Sequence, residues 1–328
     1  MSFPGIPSGE RHVNGTLKPE SWGPLPLEMS SPLVRQYPAP QVASRGPTRT
    51  HVLLFVATII TTLLAGMSWS GIKAPLQHLD LFYRGIPYAG TLLAILFCHE
   101  MGHYLTARYY GVQVTPPYFL PSPPFIMGVP FLGTFGAVIR MQSPPQHRCA
   151  LLNIGAAGPI AGFCVALPAM LYALTTATQV PITALQDGSS YAQLASPLLL
   201  HLMEYWLIGP TPSGMVLTIN SMGVAAWFGL LVTVLNLLPI GQLDGGHILF
   251  ALLGPRARYI SWVVMGALLV LGVLAWPGWI LWAVLGWISG RRQPAVLDHR
   301  IPLSRSSKIL AAIALTIFVL CFMPIPMQ

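Results

Sequence analysis

Long apolar runs alternate along this chain with short polar or Gly/Pro-rich breaks. The first run is HVLLFVATIITTLLAGMSW at 51–69, and others lie near 89–109, 149–177, 215–238, 259–275, 278–290 and 308–323. Several are apolar for about 17–22 residues, enough to cross a hydrocarbon core of roughly 30 Å. The fifth and sixth form one run split by WPGW at 276–279. Proline there breaks helix continuity and invites a tight turn between two short helices. The pattern predicts an all-α multi-pass membrane protein of about six to seven transmembrane helices, the short sixth run setting the range.

Two stretches interrupt the helical pattern. Pro, Gly and aromatic residues crowd 116–145, a structured loop. Within it VPFLGTFGAVIRMQ (129–142) carries no helix signal and sets β-branched residues among small ones, as a membrane-associated strand or β-hairpin would. The second is NLLPIGQLDGGHILF (236–250), where Pro239, Gly241, Gly245 and Gly246 surround Asp244 in a break that reads as a re-entrant loop. Residues 1–50 hold nine prolines and five glycines with no apolar periodicity. Such a segment buries too little surface to offset its ordering entropy, so a disordered Pro-rich tail (1–50) is expected ahead of a membrane-embedded domain (51–328).

Composition agrees. Hydrophobic residues make up 54% and charged residues 8% of the 328 positions, far below the roughly 25% charged of soluble domains. The net charge of +8 is explained by sidedness rather than by nucleic acid, and no nucleic-acid partner is expected. With the N-terminus in the cytosol, fifteen of the seventeen Lys/Arg fall on the cytosolic side, and only Lys73 and Arg84 lie opposite. The four cysteines are scattered without metal-ligand or disulfide-framework spacing. Gly155, Gly158 and Gly162 have the spacing of close helix packing rather than of a phosphate loop.

Seven of the nine acidic residues sit in the tail or in loops; Glu100 and Asp244 lie at or within apolar stretches. A carboxylate at membrane depth is costly and marks a functional site by default. Glu100 belongs to His99-Glu100-Met101-Gly102-His103, an H-E-x-x-H pattern that chance would place in this composition roughly 0.004 times. Residues four apart share a helix face, so His99 and His103 can present two imidazoles to one zinc ion, while Glu100 reaches a water rather than the metal. A catalytic zinc needs a third protein ligand, and Asp244 is the natural candidate. The spans carrying the two histidines and preceding Asp244 both run toward the cytosolic face. His103 would lie about 8–11 Å beneath that face, where all three ligands can meet. His247, just after Asp244, stays outside this metal set.

The two motifs together resemble the site-2 protease family of intramembrane zinc metalloproteases, in which H-E-x-x-H on one helix is joined by N-x-x-P-x-x-x-L-D-G on another. The second reads here from Asn236 through Pro239 to Leu243-Asp244-Gly245. The resemblance covers roughly 51–323. It implies one zinc per chain held by His99, His103 and Asp244, with Glu100 as general base and Asn236 holding substrate or oxyanion. It implies also that Gly133, Thr134, Phe135 and Gly136 form a strand that binds an unwound substrate. Many members carry a PDZ domain between spans, which needs roughly 80–100 residues. The longest loop here, 178–214, has no room for one, so the chain looks like the PDZ-less branch.

The activity implied is endopeptidase cleavage within the transmembrane segment of a membrane-anchored protein, in regulated intramembrane proteolysis or in clearing signal-peptide remnants. The partners would be that substrate and the lipid bilayer. The address expected is a bacterial cytoplasmic membrane, with a plastid membrane as the alternative. Two other classes compete. A metal transporter would need further ligands along a pathway, and a non-catalytic relative that binds transmembrane segments would be expected to lack Glu100 or a ligand.

Overall fold

A computed structural model describes residues 48–123, 125–126, 129–130, 132–185, 194–289, 296–298 and 301–326. The expected tail lies outside the described residues up to position 47. Helix α1 (Arg49–Trp69) takes in Arg49 and Thr50. After two short 3₁₀ turns comes α2 (Ile86–Tyr109), opened by Pro87 in its first turn, where proline's missing N–H costs nothing.

Next come four short strands, β1 (Tyr118–Pro121), β2 (Phe125–Ile126), β3 (Val129–Pro130) and β4 (Thr134–Val138). β4 pairs antiparallel with β1, placing Tyr118 opposite Val138 and Leu120 opposite Gly136, with an irregularity at Pro121; β2 and β3 pair at the tip. The strand expected within 129–142 is present as β4, and its hairpin partner β1 lies upstream of that stretch. Helix α3 (Arg148–Thr175) follows, then β5 (Thr178–Pro181), α4 (Leu198–Leu207) and β6 (Met215–Thr218), which pairs with β5. The chain continues through α5 (Ser221–Leu237), α6 (Asp244–Leu253), α7 (Ala257–Leu274), α8 (Gly278–Ser289) and α9 (Arg305–Cys321).

Six of the seven expected spans coincide with helices α1, α2, α3, α7, α8 and α9, whereas the span expected at 215–238 is split, Met215–Thr218 forming β6 and only Ser221–Leu237 the helix α5. By length and composition, four stretches among the described residues can cross a membrane: Arg49–Trp69, Leu79–Tyr109, Arg148–Thr175 and Asp244–Leu274. Helices α5 and α8 are shorter and apolar. The WPGW turn is as expected, with Gly272 of α7 set against Ile280 of α8. Helix α4 was not anticipated. Neither was α6, whose N-cap Leu243 offers no side-chain acceptor and whose first turn holds two glycines, leaving Asp244 as its one start signal.

The core is built around α5, on which Ala225, Ala226, Trp227, Leu230 and Val234 are fully buried. The polar tip of Trp227 is satisfied by the Ala195 carbonyl at 2.7 Å. Small residues let the central helices close up. Gly229 of α5 meets Ile95 of α2, and Gly102 of α2 faces the Ala157 carbonyl of α3, so near that an added Cβ would stand 2.5 Å from it. This close packing of α2, α3 and α5 holds the two histidines of α2 against the other helices.

Candidate metal centre

His99, Glu100 and His103 project from the middle of α2, and His103 lies six residues before the helix ends at Tyr109. All three are buried, at 3%, 6% and 6% exposure. Asp244 opens α6, and its carboxylate reaches back to both imidazoles. Its Oδ2 lies 3.3 Å from His99 Nε2 and 3.3 Å from His103 Nε2, and the two Nε2 atoms are 3.2 Å apart. Residues from two separate stretches of chain, 141 positions apart at their nearest, thus bring three donor atoms into one small triangle.

The hydrogen bonding of His103 orients its ring toward the triangle. Its Nδ1 lies 2.7 Å from the Ile154 carbonyl oxygen of α3. A carbonyl can only accept, so Nδ1 carries a hydrogen, and in the neutral form of the ring the Nε2 lone pair turns into the triangle. That lone pair faces a carboxylate oxygen and a second imidazole nitrogen. Lone pairs converging in this way repel one another unless a metal ion or a shared proton lies between them. Two donors 2.0–2.1 Å from a tetrahedral zinc ion stand about 3.3 Å apart, the spacing observed. The donor set and its spacing therefore fit zinc. Gly158 of α3 completes the cradle, because a Cβ there would run into the His103 imidazole. Gly162 also faces His99, less tightly, its added Cβ 3.2 Å from the His99 Cβ. The small residues at 155, 158 and 162 thus serve packing, and they serve it at the site.

Glu100 is not part of the triangle. Its carboxylate accepts from the backbone N–H of Ile139, just past β4, and lies within electrostatic range of His103 and Asp244. Asn236, near the end of α5, places its Nδ2 3.3 Å from His99 Nε2. His247 is buried at one side of the centre, its Cβ against Gly155 of α3. Among the described residues, no other group of three or more His, Cys, Asp or Glu comes together in this way.

The residues expected to form a substrate strand divide into two pairs. The Gly133 carbonyl accepts from Thr61 Oγ1 of α1 at 2.6 Å, and an added Cβ on Gly133 would stand 2.5 Å from the Thr61 carbonyl. Thr134 is buried and bonds the Leu120 carbonyl at 2.9 Å. These two anchor the hairpin. Phe135 is 64% exposed, and Gly136, at φ +103°, follows it. Only β1 flanks β4 among the described strands, and the Glu100–Ile139 contact lies just past the end of β4.

A model of peptidase family M50 matches residues 87–272, more than half of the chain and inclusive of both motifs. The chain belongs to peptidase family M50. Similar proteins include "Probable zinc metalloprotease EGY2, chloroplastic" of Oryza sativa subsp. indica, 30% identical over 83% of this chain and 49% of that protein. The EGY2 protein of Arabidopsis thaliana is 30% identical over 78% and 45%. The EGY1 protein of the same plant, also named as a chloroplastic zinc metalloprotease, is 28% identical over 94% and 59%. The chain spans about half the length of the EGY2 relatives it matches. Among solved structures, the site-2 protease from Methanocaldococcus jannaschii overlaps 75% of this M50 chain and 93% of its own, with 18% identity and a TM-score of 0.37. The family is the one that the two motifs resemble.

Proposed function

We propose that this M50 chain is an intramembrane zinc endopeptidase that hydrolyses a peptide bond within the transmembrane segment of a membrane-anchored protein. The observation that carries the reading is the triangle of His99 Nε2, His103 Nε2 and Asp244 Oδ2, with edges of 3.2–3.3 Å, set beside a buried glutamate that is not one of its corners. His99, His103 and Asp244 would hold one zinc ion. Bound there, zinc would supply Lewis acidity and lower the pKa of water towards ~7.

The chain's own residues do the rest. Glu100 accepts a proton from the attacking water as the new C–O bond forms. It then delivers that proton to the amine nitrogen as the C–N bond breaks. Asn236 offers an amide N–H to the carbonyl oxygen as charge develops on it. A helical substrate must unwind before its amide is open to attack, and the edge of β4 away from β1, which no described strand flanks, is suited to hold the extended backbone by strand addition with little sequence preference. Phe135 and Gly136 would touch substrate, whereas Gly133 and Thr134 would support it from behind. Anchored signalling proteins and remnant signal peptides both present such a segment.

The membrane-embedded domain would span 51–328 and the Pro-rich tail would lie in the cytosol, an orientation that rests on the bias of basic residues. The relatives' names favour a plastid membrane; a bacterial cytoplasmic membrane is the other address. A transporter would call for further donor clusters along a path.

The test is incubation of the full chain with a synthetic transmembrane peptide of about 25 residues bearing a central helix break, with products mapped by mass. Wild type is expected to cut inside the apolar segment. Glu100→Gln should cut about 10²–10⁴-fold more slowly with its zinc retained. Equal cleavage by Glu100→Gln would overturn the mechanism.

A further inference from the structure

Arg148, the first residue of α3, does something that neither sidedness nor the H-E-x-x-H motif explains. Its guanidinium reaches across to the far end of α6 and donates to two successive carbonyls, Nε to Ala251 at 2.7 Å and Nη2 to Leu252 at 2.8 Å. The last four carbonyls of a helix have no partners within it. In α6 the Phe250 carbonyl is taken by Gly254 N–H, and Arg148 takes the next two. A cation at this end also faces the negative pole of the helix.

Helix α6 is only ten residues long and begins with Asp244. Its first turn is wedged against the preceding chain: Gly245 abuts the Leu237 carbonyl and Gly246 the Gly241 carbonyl, with no space for a Cβ at either. Arg148 grips the other end, seven residues and roughly 10 Å from Asp244. This end passes through the 3₁₀ turn Gly254–Arg256 into α7, and Arg148 adds the tie that binds it to α3; a metal donor must keep its place to within about 0.5 Å and 10–20°. Helix α3 also supplies the Ile154 carbonyl that fixes His103.

We infer that Arg148 is a positioning residue for the metal centre: it clamps the C-terminal end of α6 to α3 and thereby registers Asp244 against the two histidines, which α3 itself orients. The inference rests on the proposed zinc site. It distinguishes Arg148 from an ordinary basic residue that marks a membrane face. A face marker needs only charge, and lysine would serve as well. Two carbonyls side by side need a planar fork, which lysine's point charge lacks.

The experiment measures zinc affinity of the full chain in detergent, by competition with a chromophoric chelator, for wild type, Arg148→Ala and Arg148→Lys. Hydrogen exchange of each metal-free protein is followed in parallel. Arg148→Ala is expected to bind zinc about tenfold more weakly, and Arg148→Lys to fall between it and wild type. In the metal-free alanine variant the amides of α6 should exchange faster, while those of α2 keep their wild-type protection. The exchange pattern separates a loosened α6 from general unfolding. Alanine and lysine variants that bind zinc as tightly as wild type would overturn the inference and leave the zinc site standing. Loss of protection throughout α2 and α3 in both variants would overturn it as well, since Arg148 would then be needed for the whole fold. A wild type that takes up no zinc would overturn the proposed function itself.

Discussion

His103 and Ile154 are joined across two helices by a buried hydrogen bond of 2.7 Å between the imidazole Nδ1 and the main-chain carbonyl. The bond fixes both the tautomer and the plane of the ring, so Nε2 has one direction in which to look. The ring fits only because α3 offers no side chain at Gly158. Gly158→Ala is therefore expected to push His103 out of the triangle. Overpacking of this kind costs about 1–3 kcal/mol, readable as a lowered midpoint of thermal unfolding, and zinc content should fall with it. An alanine variant with full zinc and unchanged stability would mean that His103 has more room than the structure shows.

Asn236 touches the centre without belonging to the donor triangle, its Nδ2 3.3 Å from His99 Nε2. Asn236→Ala should keep its zinc and lose about 10²-fold in kcat, with a smaller change in KM. Metal analysis beside steady-state cleavage of the transmembrane peptide would check this.

The hairpin is pinned to α1 by Thr61 Oγ1, which donates to the Gly133 carbonyl at 2.6 Å. Thr61→Val keeps the shape and removes the donor. A loss of about 1 kcal/mol is expected, and the backbone amides of β4 should exchange faster while zinc content is unchanged.

Glu204 of α4 lies outside the spans, half-buried, with Ser196 as its hydrogen-bond partner at 3.3 Å. Burial raises its pKa; the Ser196 bond and the nearby His201 oppose the shift without cancelling it. The folded chain thus binds this proton more tightly than the unfolded chain. Stability from this group is present at pH below the ordinary glutamate value and is lost as pH rises through the folded value. Glu204→Gln should stabilise the protein at neutral pH, with the gain vanishing as the pH is lowered. Thermal unfolding in detergent across that range gives the comparison.

Much of this was legible in the sequence because two signals are strong. Apolar runs of membrane length announce the spans, and both H-E-x-x-H and the LDG motif stand in contiguous stretches. What escaped depends on contacts between distant segments. Arg148 reads as one basic residue among several on one face, and nothing local says that it reaches residues 103 and 104 positions further on. The start of α6 escaped because Leu243 is no capping residue and a Gly-Gly pair looks like a turn. For α4 the signal was present: Pro197 precedes an apolar stretch, LLLHLMEYWL, in which Leu200 is buried and Met203 partly so. The split in the proposed substrate strand, with Gly133 and Thr134 turned inward and Phe135 outward, comes from docking against α1 and could not be read from the strand alone.

The central claim is that His99, His103 and Asp244 form a zinc site. The most direct measurement is the metal content of the purified chain, after zinc supplementation and desalting, beside His99→Ala and Asp244→Ala. About one zinc per wild-type chain, lost in both variants while their helical content is kept, is the predicted result. A well-folded wild type that retains no zinc would contradict the account.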